Sequence, residues 1–243
     1  MKKLSIYLLL TILVLVLVGL SIRNTDDKST QETVAPATAT NVQALTGISK
    51  LKSGTVNAVI LGDSIAVSQG ASNPLTTGWN SDLNTSLVKK YSNKIIWDNK
   101  ASSGKLIDYC LERATEITST TDAVFIFTGR IDRNFSTPDQ FSEKYTQLIH
   151  EIKSKAPKAD IFCVVEPPMV SLDESKFAGI RKAIINVSAE TGSNLLDVWS
   201  AFPQDQVTLG TLLKDVLHPN DTGNKLMSDY IYHQLVTVID SSK

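Results

Sequence analysis

The sequence predicts a doubly wound α/β domain, because short apolar runs alternate with longer amphipathic stretches from Leu51 to the C-terminus. Two further observations agree. The first apolar run, Val59-Ile60-Leu61, breaks at Gly62-Asp63-Ser64, as a strand does when it turns into a loop at a sheet edge. With 243 residues, 42% hydrophobic content and a net charge of -1, the chain can bury one sizeable core and carries no nucleic-acid signature.

The N-terminus stands apart from that domain. Lys2 and Lys3 precede an apolar run from Leu4 to Ile22, close to the roughly 20 residues that cross a bilayer as a helix. Residues 1–23 are therefore expected to be a transmembrane or signal helix. The run exceeds a usual signal-peptide core of about 7–15 residues, which favours an uncleaved anchor. Gly19-Leu20-Ser21 offers small residues at which a signal peptidase would cut, and in that case the protein is secreted. The preceding lysines place the N-terminus in the cytoplasm and the rest of the chain outside. Residues 24–50 are rich in Thr, Ala, Ser, Asp and Gln, cannot offset their ordering entropy by burial, and are expected to be a flexible linker to a domain over 51–243.

Five strands are expected, at Asn57–Leu61, Lys94–Asn99, Ala123–Thr128, Asp160–Val165 and Asn194–Val198. Helical spacing links Trp79, Leu83, Leu87 and Tyr91; Leu106, Ile107, Cys110 and Ala114; Phe141, Tyr145, Leu148 and Ile152; and Phe177, Ile180, Ile184 and Val187. A last helix follows Pro219, which suits a first turn, and would present Leu226, Tyr230, Ile231 and Val238 to the sheet. Cys110 and Cys163 sit in apolar contexts and read as two buried thiols. His150 and His233 have no partners at ligand spacing, so no metal and no cofactor is expected.

The chemistry lies at the strand ends. A serine hydroxyl needs an imidazole to take its proton and a carboxylate to hold that imidazole in the right tautomer. Ser64 offers the hydroxyl, and Asp215-Val216-Leu217-His218 supplies the other two within one turn of chain. Glu166-Pro167-Pro168 reads as a strand exit whose acid lines the crevice, Asp63 as a turn residue, and Trp199 as core or crevice wall.

These blocks, Gly62-Asp63-Ser64, Ala101-Ser102-Ser103-Gly104 and Asp215-Val216-Leu217-His218-Pro219, resemble those of the SGNH (GDSL-like) hydrolases over about residues 55–240. The resemblance implies a three-layer α/β/α, flavodoxin-like fold with strand order 2-1-3-4-5. It implies Ser64, Asp215 and His218 as the triad, and backbone amides of Ser64 and Gly104 in an oxyanion hole. One block departs from the pattern: Gly129-Arg130-Ile131-Asp132 stands where the family has Gly-x-Asn-Asp, so a butyl group replaces an amide. The Arg130 guanidinium and the Asn134 amide are the candidates to fill that place, with Glu166 a third candidate for substrate contact. The function implied is an extracytoplasmic esterase acting on an acylated small molecule or carbohydrate, with the membrane as a partner of the N-terminal helix. An O-acyltransferase with the same triad, or a weakened binding module, are the alternatives.

Overall fold

A computed structural model of the chain describes residues 44–171 and 173–242. The expected helix over residues 1–23 and most of the linker lie outside the described residues. Among the described residues, no helix is long and apolar enough to cross a membrane.

The sheet has five strands, β1 (Val56–Gly62), β2 (Ile95–Asn99), β3 (Ala123–Phe127), β4 (Asp160–Val165) and β5 (Asn194–Asp197), in the order β2-β1-β3-β4-β5. Every neighbouring pair is parallel, as in the registers Ala58↔Ala123, Ala123↔Asp160 and Val56↔Ile95. The centre of the sheet is covered on both faces, so β3 reads Ala-Val-Phe-Ile-Phe with all five residues buried. Alternation along β1 sends Ala58 and Ile60 to one face and Val59 and Leu61 to the other.

Helices cover both faces. The first carries α2 (Trp79–Tyr91), entered through the short α1 (Pro74–Thr77), whose Trp79, Leu83 and Leu87 are buried at helical spacing. The opposite face carries α3 (Ile107–Ala114), α4 (Pro138–Lys155) and α5 (Phe177–Thr191). A short α6 (Gln206–Thr211) leads to α7 (Asp221–Ser241), which packs beside α2. The start of α4 is set by a capping box in which Thr137 and Gln140 satisfy each other's backbone amides, with Pro138 in the first turn.

Four expectations shift. The linker was expected to reach residue 50, but Gly47–Lys52 forms a 3₁₀ helix with Ile48 and Leu51 fully buried, and the compact unit begins at Ala44. The Ile48 amide donates to Asp160 Oδ2 at 2.8 Å, which ties this turn to the start of β4. Pro219 lies one residue before the cap of α7. Asn220 takes the cap, its Oδ1 accepting from the Gly223 amide at 3.0 Å, since an asparagine oxygen satisfies a free helix amide and proline has no such group. The buried stripe of α7 is Met227, Ile231, Leu235 and Ile239, while Leu226, Tyr230 and Val238 form its half-buried flanks. At the strand ends, Thr128 lies beyond β3, and Val198 opens a 3₁₀ helix, Val198–Ala201, instead of closing β5.

Candidate active site

Gly62 closes β1 at φ +152, and a Cβ there would stand 2.2 Å from the Phe127 carbonyl oxygen of β3. This close approach lets the Asp63 amide donate to that carbonyl at 3.2 Å and delivers Ser64 at the carboxyl edge of the sheet. The turn that follows is held from within. Asp63 Oδ1 accepts the Ile65 amide at 2.9 Å, and the Gln69 amide donates to the Ser64 carbonyl at 3.0 Å. Trp79 Nε1 donates to the Ala66 carbonyl at 3.0 Å, anchoring the turn to α2.

The second loop folds as a small hairpin. Leu213 bridges Pro219 in antiparallel fashion, and the Lys214 amide donates to the His218 carbonyl at 2.8 Å. At its tip Asp215 Oδ1 accepts the Leu217 and His218 amides at 2.7 and 2.8 Å, leaving Oδ2 to meet His218 Nδ1 at 2.8 Å. On the far side of the ring, His218 Nε2 lies 3.0 Å from Ser64 Oγ. Partial burial raises the Asp215 pKa, but the hydrogen bonds from the His218 ring and backbone and the Leu217 amide outweigh it and bring it down to about 2. Asp215 is therefore an acceptor only, so Nδ1 carries the proton and the neutral ring offers the Nε2 lone pair to the serine hydroxyl.

Residues not singled out in the sequence lock the two loops together. Gly70 is the first: a Cβ there would lie 2.3 Å from the Pro219 carbonyl and 2.8 Å from that of His218. Asp221 accepts from Ser72 through its amide at 2.7 Å and its hydroxyl at 2.6 Å, and from Thr77 Oγ1 at 2.7 Å. Asn224 Oδ1 receives the Trp79 amide at 3.3 Å, while its Nδ2 donates to the Pro219 carbonyl at 2.7 Å.

The Gly104 turn sits beside this pair of loops. The Ser102 amide donates to the Gly62 carbonyl at 3.0 Å, Gly104 adopts φ +75 at an exposed position, and Ser103 Oγ donates to Gln69 Oε1. Asp132 secures the turn from below. Its Oδ1 accepts the Ile107 amide at 3.0 Å, at the start of α3, and its Oδ2 accepts from Thr128 Oγ1 at 3.3 Å.

Two residues expected at the crevice are elsewhere. Arg130 is only 2% exposed. Its guanidinium donates to Glu174 Oε2 at 2.7 Å and to the Glu166 and Pro167 carbonyls, and stacks 3.7 Å from the centre of the Phe177 ring, so it is not free to face an oxyanion. Glu166 does not line the crevice: it is fully buried, with Oε2 accepting the Arg130 amide at 2.8 Å. A charge this far from water needs internal partners, and the Arg130 guanidinium finds them in Glu174 and the two carbonyls. Asn134 is exposed in the 3₁₀ helix Asp132–Asn134, and Ile131 is half-buried just before it. Trp199 is half-buried, its Nε1 donating to Glu174 Oε1 at 3.0 Å under the Arg181 guanidinium, and it walls a hollow of about 190 Å³ with Phe177. Cys110 and Cys163 are buried and unpaired, and burial pushes both thiols up, Cys163 to about 12, so neither is a nucleophile.

A strand-end serine facing a histidine and a carboxylate from one late loop, on a 2-1-3-4-5 parallel sheet, defines the class of serine-type α/β hydrolases. Residues 60–226 match the GDSL-like lipase/acylhydrolase family, and the chain belongs to that family of ester hydrolases. No curated protein sequence matches the chain. Among solved structures, a GDSL-like lipase from Parabacteroides merdae is 21% identical, with TM-score 0.61, over 76% of this chain and 95% of that one. A two-domain esterase active on acetylated mannans is 18% identical, with TM-score 0.65, over 79% of this chain and 52% of that one. Phospholipase A1 from Streptomyces albidoflavus is 16% identical, with TM-score 0.58, over 74% and 99%. At these identities the likeness is one of fold.

Proposed function

We propose that the chain is a serine esterase in which Ser64, His218 and Asp215 act through an acyl-enzyme. The observation that carries this reading is the unbroken line Ser64 Oγ, His218 Nε2, His218 Nδ1, Asp215 Oδ2, with contacts of 3.0 and 2.8 Å. Ser64 Oγ attacks the ester carbonyl carbon as its proton passes to His218 Nε2, and the carbonyl oxygen becomes an oxyanion held by the backbone amides of Ser64 and Gly104. Collapse expels the alcohol, which takes the proton from Nε2. Water then repeats the sequence on the acyl-Ser64 ester and releases the acid. Asp215 stays ionised throughout and stabilises the imidazolium.

The side-chain donor of the family pattern is missing from its place in the sequence. Ile131 occupies the place of the family's asparagine, Arg130 is committed to Glu174, and Asn134 is exposed. The acyl group we propose is a small one on a carbohydrate of the cell envelope. The fold likeness to an esterase active on acetylated mannans supports this, as does an apolar run at residues 4–22 suited to anchor the domain outside the membrane.

Assay of the purified protein on p-nitrophenyl esters of increasing chain length tests the reading. Turnover falling from acetate to longer acyl groups agrees with it, and absence of turnover on all of them contradicts it. Product analysis with and without an acceptor sugar separates hydrolysis from acyl transfer. Fractionation of the full-length protein tests the anchor, and recovery in the cytosol overturns it.

A further inference from the structure

Directly behind the nucleophile lies a second pair of carboxyl groups that the ester chemistry does not use. Asp63, 1% exposed, precedes Ser64, and Glu166, 0% exposed, follows β4 directly. The two side chains are within hydrogen-bonding reach of each other. One oxygen of each is already committed, Asp63 Oδ1 to the Ile65 amide and Glu166 Oε2 to the Arg130 amide. Glu166 Oε1 meets no donor among the described residues, although it is buried. Two ionised carboxylates in that position would repel each other and leave a buried charge unsolvated; one shared proton turns the same contact into a strong hydrogen bond.

We infer that Glu166 is a positioning residue, kept as the neutral acid, which donates from Oε1 to the Asp63 carboxylate while Oε2 accepts the Arg130 amide. It thereby holds the Ser64 turn and the Gly129–Ile131 loop in register. Both loops bear on the carbonyl-binding region, so a shift of either one moves the nucleophile relative to the oxyanion site. The surrounding groups fit this protonation. Asp63 faces Glu166 from the end of β1, Arg130 and Asp132 from the loop after β3, Cys110 from α3 and Tyr145 from α4. Among them the only cation is Arg130, and its guanidinium bonds to Glu174 and to the Glu166 and Pro167 carbonyls, not to either carboxyl of the pair. Burial, and then the Asp63 charge, push the Glu166 pKa well above the glutamate range. Burial also lifts that of Asp63 to about 6 against the opposing hydrogen bond from Glu166. These values belong to the pair, which between them holds one proton at neutral pH.

The sign of the linkage follows. The folded chain keeps a proton on Glu166 that the unfolded chain gives up, so stability falls as pH rises above the ordinary glutamate range, through the raised folded value. Glutamine keeps the shape of the neutral acid and both of its bonds, with an amide N–H for Asp63 and a carbonyl oxygen for the Arg130 amide, adds one further N–H, and does not titrate. Alanine reproduces neither bond.

Only the kinetic half of the test rests on the proposed esterase reading. Wild type, Glu166→Gln and Glu166→Ala are compared by thermal unfolding from about pH 5 to about pH 9, where the Tm of Glu166→Gln should exceed that of wild type by a margin that widens with pH. On p-nitrophenyl acetate, Glu166→Gln should keep kcat within about threefold of wild type, whereas Glu166→Ala should lose about 10- to 100-fold in kcat with a smaller change in KM. A Glu166→Gln protein as impaired as Glu166→Ala, one that fails to fold, or one whose Tm tracks wild type in parallel across the pH range overturns the inference. If wild type shows no turnover, the esterase reading fails while the unfolding curves still decide the state of Glu166.

Discussion

His218 Nε2 stands 3.0 Å from Ser64 Oγ although 154 positions separate the two residues, and Asp215 holds the opposite side of the same ring from three positions away. Each residue has a distinct task, so their removal should not cost the same. Ser64→Ala and His218→Ala are expected to lower kcat/KM on p-nitrophenyl acetate to background, a loss of about 10⁴-fold or more, with Asp215→Ala roughly 100-fold less severe because it orients and stabilises but transfers no proton. Equal losses at all three positions would assign Asp215 a larger role than this geometry supports.

The same carboxylate has a pH signature. Its folded pKa is brought down from 3.8 to about 2, so the stability it contributes is fully present above about pH 4 and is lost as pH falls through about 2. Thermal unfolding of wild type and Asp215→Asn should therefore differ by a constant Tm between about pH 5 and pH 7, the two curves converging as acid approaches about pH 2. The carboxylate is 52% exposed, so solvent screening keeps the difference small.

The gap at Ile131 predicts a gain. A missing oxyanion donor typically costs about 10²–10³ in rate, and Ile131→Asn should recover part of it, read as a rise in kcat on p-nitrophenyl acetate. Asn134→Ala should leave kcat nearly unchanged. Arg130→Ala, which would be equally silent if the guanidinium were idle, should instead lower stability by about 1–3 kcal/mol in urea unfolding, because it removes the guanidinium's bonds to Glu174 and to the buried Glu166 and Pro167 carbonyls. A neutral or harmful Ile131→Asn would mean that another donor already serves the oxyanion.

Trp79 links the core to the nucleophile. Its ring is fully buried, 4.7 Å from that of Phe127 and 5.4 Å from that of Trp97, and its indole N–H holds the Ala66 carbonyl two residues past Ser64. Trp79→Phe should cost about 1–3 kcal/mol by leaving that carbonyl unpaired, and Trp79→Ala about 3–5 kcal/mol through the cavity it opens, both read by urea unfolding. Trp79→Phe should also lower kcat, since the turn loses its tie to α2.

How much of this was legible in the sequence depended on whether the signal was local. β3 and β4 were visible as continuous apolar runs because both faces of each are buried. Asp215 and His218 sit on one hairpin tip, so their spacing alone suggested a pair. Ile48 was lost in a polar stretch, since one apolar residue sets no period, yet it is fully buried. The face of α7 was misjudged because apolar residues surround more than one stripe of a long helix, and only packing decides that Met227 and Leu235 point inward rather than Leu226 and Val238. Arg130 and Glu166 looked like crevice residues because their partners, 36 and 44 positions away, cannot be seen from either neighbourhood.

The central claim is that Ser64 is the nucleophile, and a serine-directed fluorophosphonate tests it most directly. Mass mapping of the labelled protein should place a single adduct on Ser64, with Ser64→Ala unlabelled and His218→Ala labelled far more slowly because the hydroxyl keeps its proton. An adduct on another residue, or undiminished labelling of Ser64→Ala, would contradict the account.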